Sequence, residues 1–215
     1  MINALSRGVI SEKDFIGLYF INHRGELKEI KDFEVRNDTY MSDFILMRPT
    51  AAYADQICEL RQEFLDAGSS MAGMGPLRRM EDPEAYIARC VRDEDPNQIP
   101  ANRVPATQFL FIRKEDNRLV GMIQVRHYFN EHLAQYGGHI GYSIRPGERR
   151  KGYAKEMLRM ALPYCRELGL EKVLITCIDG NIGSEKTILA NGGVYESTVY
   201  EPDEQIHLKR FWITL

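Results

Sequence analysis

The chain has 215 residues and a formal net charge of −3, with 44% hydrophobic and 27% charged residues, an ordinary composition for a globular protein. The negative charge gives no general reason to expect nucleic-acid binding, and no apolar run approaches the ~20 residues that a membrane-spanning helix needs. We therefore expect one globular domain, or one domain with an appendage, that has neither a nucleic acid nor a membrane as its partner.

Residues 1–43 are predicted to form an appendage to the main domain. Residues 15–21 are strand-like, residues 22–25 (NHRG) predict a turn, and residues 26–33 alternate loosely, which together favours a β-hairpin. The polar residues that follow predict a linker, so the main domain is expected at 44–215. Two roles are open for the hairpin. It is either an addition at the edge of the domain that takes no part in the chemistry, or a dimer contact.

The first half of the main domain alternates between strand and helix signals. The expected elements are a strand (44–47), a helix (50–67), a helix that begins at residue 82 or 83 and reaches 91, and a hairpin (109–113 and 119–128). Residues 68–75 (GSSMAGMG) predict a flexible loop, and residues 96–105 predict a second loop that contains prolines. Both loops are long enough for a substrate lid, and they suit plain connections equally well.

Residues 139–162 (HIGYSIRPGERRKGYAKEMLRMAL) are the most informative segment of the chain. A strand-like run at 140–144 is followed by a Pro-Gly turn, three cations at 149–151, and Gly152 at the start of an amphipathic helix. A helix start offers unpaired backbone N–H groups and about half a positive charge, which together suit a phosphate group. The segment therefore predicts a phosphorylated ligand.

Spacing excludes two familiar phosphate loops. Gly147 and Gly152 have the separation of a P-loop, but the next residues are Tyr153 and Ala154, where that loop needs Lys and Ser or Thr. The dinucleotide fingerprint G-x-G-x-x-G does not occur in the chain. The remaining pattern is Arg149-x-x-Gly152-x-Ala154, placed between a strand and a helix.

The downstream sequence continues with further helices and strands. The expected elements are a helix (150–168), a strand buried on both faces (172–178), a helix (182–191), and two antiparallel closing strands (194–200 and 207–214). Asn181 is a plausible N-cap for the second of these helices, which ends at a Gly-Gly pair.

This order of elements and its motifs resemble the GNAT superfamily of N-acetyltransferases, whose pyrophosphate signature is Q/R-x-x-G-x-G/A. Arg149-x-x-Gly152-x-Ala154 matches that signature, and Asn181-x-x-Ser184 matches the family's Asn and the small residue after it. The run GGHIGYSIRPGERRKGYA is also similar to a bacterial subgroup of predicted acetyltransferases.

The resemblance extends from about residue 46 to the end of the chain and implies a fold and an activity. The implied fold is of the α/β (α+β) class, with a mixed, mostly antiparallel central sheet flanked by helices, to which this chain adds the N-terminal β-hairpin. The implied activity is direct transfer of an acetyl group from acetyl-CoA to a primary amine, with acetyl-CoA as cosubstrate and no metal.

The resemblance also implies which residues bind the cofactor. The expected cofactor-binding residues are Ile144, Arg145, Arg149, Arg150, Lys151, Gly152, Tyr153, Ala154, Asn181 and Ser184. The backbone at residues 144–145 would pair with the pantetheine arm, and the amides of residues 150–154 would hold the pyrophosphate. Gly152 would let the backbone approach the phosphates because it has no side chain.

The acid that protonates the leaving thiolate is not at its usual place. Many family members carry a tyrosine seven residues after the Asn, and counting from Asn181 places Ile188 there, which cannot donate a proton. The sequence leaves three alternatives to this tyrosine as the acid, namely Tyr142, Tyr195 and water.

Histidines are the first candidates for the general base, since imidazole titrates near neutral pH. His139 is the leading candidate because it directly precedes the strand before the phosphate turn, and His127, Glu131 and His132 are alternatives. A structural role is equally open for any one of them.

The acceptor, the oligomeric state and the cellular setting follow less directly. We expect a small-molecule or peptide amine as acceptor, and a homodimer is left open. The N-terminus lacks the apolar core of a signal peptide, and the four cysteines form no C-x-x-C pair, so we expect a cytoplasmic protein with reduced thiols. A non-catalytic module that senses CoA or another phosphate ligand is the alternative, favoured by Ile188.

Overall fold

A computed structural model describes residues 19–21, 27–29 and 42–215. Its strands are β1 (Tyr19–Ile21), β2 (Leu27–Glu29), β3 (Phe44–Met47), β4 (Ala106–Arg113), β5 (Arg118–Arg126), β6 (Ile140–Ile144), β7 (Lys172–Ile178), β8 (Val194–Glu201) and β9 (Ile206–Thr214). Its α-helices are α1 (Ala54–Asp66), α2 (Pro83–Arg92), α3 (Tyr153–Glu167) and α4 (Ile182–Leu189). None of the helices described is both long enough and apolar enough to cross a bilayer.

Strands β1 and β2 pair with each other antiparallel, with Tyr19 opposite Glu29. They are the two strands of the hairpin expected within residues 1–43, and they lie outside the compact unit formed by residues 42–215. Residues 34–41 of the predicted linker lie outside the described residues, and the division into 1–43 and 44–215 stays a prediction.

Residues 42–215 build two antiparallel sheets, with strand orders β3-β4-β5-β6 and β7-β9-β8. Helices pack on both faces of the first sheet, so the predicted mixed fold with flanking helices is confirmed. The two sheets meet where the first residues of β6 approach the middle of β7.

Side-chain alternation along β4 and β5 explains the layers, because successive residues of a strand point to opposite faces. One face carries Phe109, Phe111, Ile123 and Val125, which pack with Met157, Leu158 and Ala161 of α3. The other face carries Leu110, Ile112 and Met122, which pack with Ile57, Leu60 and Phe64 of α1. Each of these large side chains contributes about 1.5–3 kcal/mol when it is fully buried.

The glycine-rich segment 68–75 is not the loose loop that its composition suggests. Met71 and Met74 are buried in the core beneath α1, and Gln108 Nε2 donates to the carbonyl of Gly73 over 2.9 Å. Gly73 packs directly on Gly141 of β6, at a positive φ of 72°. The segment is therefore anchored to the strand that precedes the phosphate turn.

Gly73→Ala tests this anchor, with Gly68→Ala as a matched control. Both glycines have positive φ, but a Cβ on Gly73 would lie 2.0 Å from the Gly141 carbonyl oxygen, whereas a Cβ on Gly68 meets nothing within 4 Å. We expect Gly68→Ala to cost about 1–2 kcal/mol from backbone strain alone. Gly73→Ala should cost roughly a further 1–3 kcal/mol from overpacking. Urea unfolding measures both, and equal losses would contradict the close packing.

Candidate active site

One joint holds the two sheets together beside the start of β6. The backbone N–H of His139 donates to the Leu174 carbonyl over 2.7 Å, and the Leu174 N–H donates to His139 Nδ1 over 2.9 Å. Past this joint, β6 pairs only with β5, and β7 pairs only with β9, among the strands described. A cleft therefore opens between β6 and β7 toward the phosphate turn.

The edge of β6 that faces the cleft presents free backbone groups. Arg126 N–H donates to His139 O, and Arg145 N–H donates to Val120 O, which identifies the hydrogen-bonded positions of the β5–β6 ladder. In an antiparallel ladder the intervening residues direct their N–H and C=O groups to the opposite edge. The N–H groups of Ile140, Tyr142 and Ile144 consequently face the cleft, where an extended ligand with amide groups can pair with them.

The turn after β6 leads into a cradle of unpaired amides at the start of α3. Arg150 and Gly152 have φ values of 64° and 82°, which keep residues 149–152 out of the helix that the sequence predicts from residue 150. Within residues 42–215, the amides of residues 149–155 donate to no backbone acceptor. A Cβ on Gly152 would meet nothing within 4 Å, so the space above these amides is open.

Two of the three cations of the turn are held beside this cradle. Arg149 Nε donates to the Ile144 carbonyl over 3.1 Å, and its guanidinium lies 5.4 Å from the centre of the Phe64 ring. Lys151 Nζ lies 2.8 Å from Glu148 Oε2. Arg150 is exposed at the positive-φ position. The cradle thus combines a helix N-terminus with three cations, which suits a diphosphate.

Glu148 stabilises the turn after β6 through ion pairs. It is buried and forms ion pairs with Arg113 (3.0 Å) and Lys151 (2.8 Å). Burial acts to raise the pKa of Glu148, but hydrogen bonds from Lys151 and Arg113 outweigh it and hold that pKa below its usual value. The carboxylate is therefore charged at neutral pH and fixes the turn.

Arg145 does not reach the cradle, although the sequence placed it among the cofactor-binding residues. Its side chain is 1% exposed and extends to α1. There its Nε lies 2.8 Å from Glu63 Oε2 in an ion pair, with a geometry that is unsuitable for a hydrogen bond. Its backbone N–H is taken by Val120. Arg145 thus ties the turn to α1.

The remaining expected cofactor residues lie around the cradle and the cleft. Tyr153 and Ala154, in the first turn of α3, are half-buried, and the Tyr153 hydroxyl accepts from Arg113. Asn181 caps α4 by accepting from the Ser184 N–H over 3.1 Å.

Tyr142 reaches across the cleft from β6 to α4. Its hydroxyl lies 2.9 Å from Ser184 Oγ, and burial raises the pKa of Tyr142 to about 12. The phenol is therefore protonated at neutral pH. Ile188 is fully buried in the core, and Tyr195 lies on β8, separated from β7 by β9. Of the sequence candidates for the acid, the structure brings only Tyr142 to the cleft.

His139 is engaged in the joint and is buried against Phe129, with ring centroids 3.8 Å apart. Burial, together with nearby Arg126, lowers the pKa of His139 to about 4. The ring is therefore neutral at pH 7, with Nδ1 accepting from Leu174. These contacts suit a residue that positions β6 against β7 better than a general base.

The alternative bases lie on different sides of the first sheet. His127 Nε2 lies 2.9 Å from Thr107 Oγ1, which in turn lies 2.8 Å from the Tyr164 hydroxyl, so His127 faces α3. Glu131 and His132 are exposed in the connection between β5 and β6, and His132 lines a cavity.

That cavity, of about 280 Å³, lies on the α1–α2 side of the first sheet. Its polar lining includes Arg79, Asp93, Arg103, Gln124, Arg126 and His132. Gln124 is the ladder partner of Gly141, so the cavity lies one strand from the cleft. Apart from His132, which was considered as a base, sequence analysis missed these residues. Gln124 and Arg126, at alternate positions near the end of a mostly apolar strand, were a signal for a polar patch on one face.

A second and more open cavity of about 560 Å³ lies between α1 and the turn at residues 146–148. Glu63, Asp66 and Glu148 line it together with Arg118 and Arg145, and both arginines are ion-paired with these glutamates. The cavity therefore has no excess of positive charge for a phosphate. Among the described residues, no three His, Cys, Asp or Glu side chains are placed to hold a metal ion.

Comparison with known proteins places this geometry in a family. A family profile described as "Acetyltransferase (GNAT) domain" matches residues 43–194. An uncharacterized N-acetyltransferase of Bacillus subtilis, YnaD, is 32% identical over 84 residues, which are 39% of this chain and 47% of that protein. The match thus spans about half the length of the curated relative.

Two solved structures share the fold. The microcin C7 self-immunity acetyltransferase MccE, in complex with acetyl-CoA and AMP, aligns with a TM-score of 0.61 at 17% identity over 81% of this chain and 93% of its own. The ribosomal-protein-S5-alanine acetyltransferase of Vibrio fischeri aligns with a TM-score of 0.59 at 15% identity over 80% and 93%.

The neutral state of His139 predicts a pH dependence of stability. Because the pKa of His139 is about 4 in the folded protein and 6.5 is its ordinary value, the unfolded chain takes up the proton first as the pH falls. This site should therefore make the protein about 2 kcal/mol less stable at pH 5 than at pH 7.5. The His139→Asn variant keeps an acceptor near Nδ1 but cannot titrate, so it should lose less stability over that range. Urea unfolding at both pH values measures the difference, and identical losses would refute the assignment.

Proposed function

Because the chain belongs to the GNAT acetyltransferase family, we propose that it transfers an acetyl group from acetyl-CoA directly to the primary amine of a small molecule or peptide. The observation that carries the proposal is the continuous path from the amide cradle at the start of α3 to the free edge of β6. The relatives come from Bacillus and Vibrio, which supports a bacterial enzyme as part of the same proposal. A cytoplasmic location remains an expectation from the sequence. The family match does not support a purely sensing, non-catalytic module.

The residues at the cradle fit the cofactor. Acetyl-CoA supplies an acetyl group that is activated as a thioester. The unpaired amides of residues 149–155 and the cations Arg149, Arg150 and Lys151 suit its pyrophosphate, and the open space at Gly152 lets the phosphates approach the backbone. Of the β6 N–H groups at Tyr142 and Ile144, one would bind an amide carbonyl of the pantetheine arm, which leaves the other for the thioester.

The chain's own groups then supply three functions for the transfer. A β6 N–H, at Tyr142 or Ile144, would donate to the thioester carbonyl oxygen, where negative charge develops. The Tyr142 hydroxyl would donate a proton to the departing sulfur, and Ser184 would orient that hydroxyl. His132, at the edge of the 280 Å³ cavity, would accept the ammonium proton, directly or through water. His139 would position β6.

The cradle predicts how a charge at Gly152 affects binding. Gly152→Glu places a carboxylate above the amides, so we expect it to abolish acetyl-CoA binding in calorimetry. Gly152→Gln imposes the same backbone strain at positive φ without the charge, and it should weaken binding much less. Circular dichroism confirms folding of both variants. Unchanged affinity in Gly152→Glu would show that the pocket is elsewhere, and no saturable binding of acetyl-CoA by the native chain would remove the proposed function.

The position of Tyr142 predicts a loss of turnover without a loss of cofactor affinity. Tyr142→Phe removes the proton donor and should lower kcat about 10²-fold, because general acid catalysis is typically worth that much or more. Tyr195→Phe should keep full activity, since Tyr195 lies two strands from the cleft. Thiol release from acetyl-CoA measures kcat, and calorimetry measures affinity. Equal activities of the two variants would exclude Tyr142 as the acid.

A further inference from the structure

The 280 Å³ cavity carries an excess of positive charge. Arg79, Arg103 and Arg126 line it, and within residues 42–215 none of the three lies within ion-pair distance of a carboxylate. The lining also includes Asp93, but its carboxylate is 2.5 Å from Arg89 Nε and is neutralised there. A cavity with this charge attracts an anionic group and repels a polycation.

Arg126 lies on the side of the cavity that is near β6, so part of the excess positive charge lies beside that strand. Its Nη1 donates to the carbonyls of Gly137 and Gly138, over 2.9 and 3.0 Å. Its Nη2 makes no hydrogen bond within the described residues and lies 3.6 Å from the Cβ position of Gly141. Burial lowers the pKa of Arg126, and an arginine still binds as a cation at neutral pH.

A buried acceptor without a partner lies close to the cavity. Gln108 is 1% exposed, and its Oε1 accepts no hydrogen bond among the described residues. This oxygen lies 3.8 Å from the Cβ position of Gly75, which lines the cavity. A buried carbonyl oxygen without a donor is costly. Because this oxygen is inaccessible and Gln108 does not line the cavity, the arginines and not this acceptor define the chemistry of the ligand.

The size of the cavity limits the ligand. Sites for drug-sized molecules usually occupy about 300–1,000 Å³. A cavity of about 280 Å³ therefore suits a molecule the size of an amino acid.

We propose that the acceptor is a small zwitterionic amine of amino-acid size, whose carboxylate or phosphate is bound by Arg79, Arg103 and Arg126 while its amine faces β6. This inference rests on the proposed function, because it assigns the acceptor of the same reaction. An acceptor of this kind would distinguish the chain from enzymes that acetylate polyamines. A polyamine is positively charged, whereas the group proposed to bind the arginines is negatively charged.

The test compares matched pairs of amines by thiol release from acetyl-CoA with the full-length chain. α-Amino acids are compared with their carboxamides, and phosphoethanolamine with ethanolamine, so that the two pairs distinguish a carboxylate from a phosphate. Spermidine and tripeptides with free N-termini complete the panel. We expect kcat/KM at least 10-fold higher for the anionic member of a pair, and little turnover of spermidine.

Variants link that preference to the cavity. Arg79 and Arg103 are exposed, so the double variant Arg79→Gln/Arg103→Gln should fold and should raise KM at least 10-fold for the anionic acceptor. It should leave KM for the neutral partner and for acetyl-CoA unchanged. Arg92→Gln removes the same charge from an exposed position outside the cavity and should change neither.

Several outcomes would overturn the inference. The inference would be wrong if the anionic and neutral members were turned over equally, or if spermidine or the tripeptides were preferred. It would also be wrong if the double variant lost activity equally with both members, or if a protein that binds acetyl-CoA turned over no amine. Calorimetry separates the two proposals, because failure to bind acetyl-CoA removes the proposed function as well, whereas binding with the wrong acceptor preference removes only this inference.

Discussion

The candidate site depends on the way in which two antiparallel sheets meet at one joint and then separate. His139 contributes both a backbone donor and a ring acceptor to Leu174, and Thr176 adds a bond to the Tyr136 carbonyl over 2.7 Å. Past these bonds, the edges of β6 and β7 have no strand partner among those described. Unpaired backbone groups in a partly buried cleft are costly unless something pairs with them. The joint therefore both holds the domain together and leaves an edge that an extended, amide-bearing ligand can complete.

Positive charge lies in two separate groups, one in the cleft and one in the cavity beside it. In the cleft, the start of α3 and the cations of the turn gather around open amides, and buried Glu148 fixes the turn through its ion pairs with Arg113 and Lys151. The second group, Arg79, Arg103 and Arg126, lines the cavity one strand from the cleft, and Arg126 Nη2 lies 3.6 Å from the Cβ position of Gly141 in β6. In the proposed reaction, the anionic part of the cofactor would lie on one side of the reacting groups and the anion of the acceptor on the other.

Local patterns predicted the parts of the site that depend on backbone conformation. The cradle was identifiable because a strand, a turn and a glycine before an amphipathic helix determine where free amides occur, whatever packs around them. The roles of side chains were less accessible. Arg145 belongs to the same basic run as Arg149, yet its side chain is buried and ion-paired with Glu63 of α1, a partner far away in the chain that no local pattern reveals. His139 looked like a base on the grounds of position, and its ring instead bonds to a strand 35 residues away in sequence.

By itself, the sequence determined the order of the elements and the position of the turn after β6, since these follow from periodicity and from turn chemistry within short windows. The class of the fold followed from the family resemblance of its motifs. Only the tertiary structure decided which tyrosine reaches the cleft, how the glycine-rich segment packs on β6, and where Arg79, Arg103 and Arg126 converge. These three arginines are contributed by two loops and a strand that are far apart in the chain. Their convergence depends on long-range packing, which no local pattern encodes.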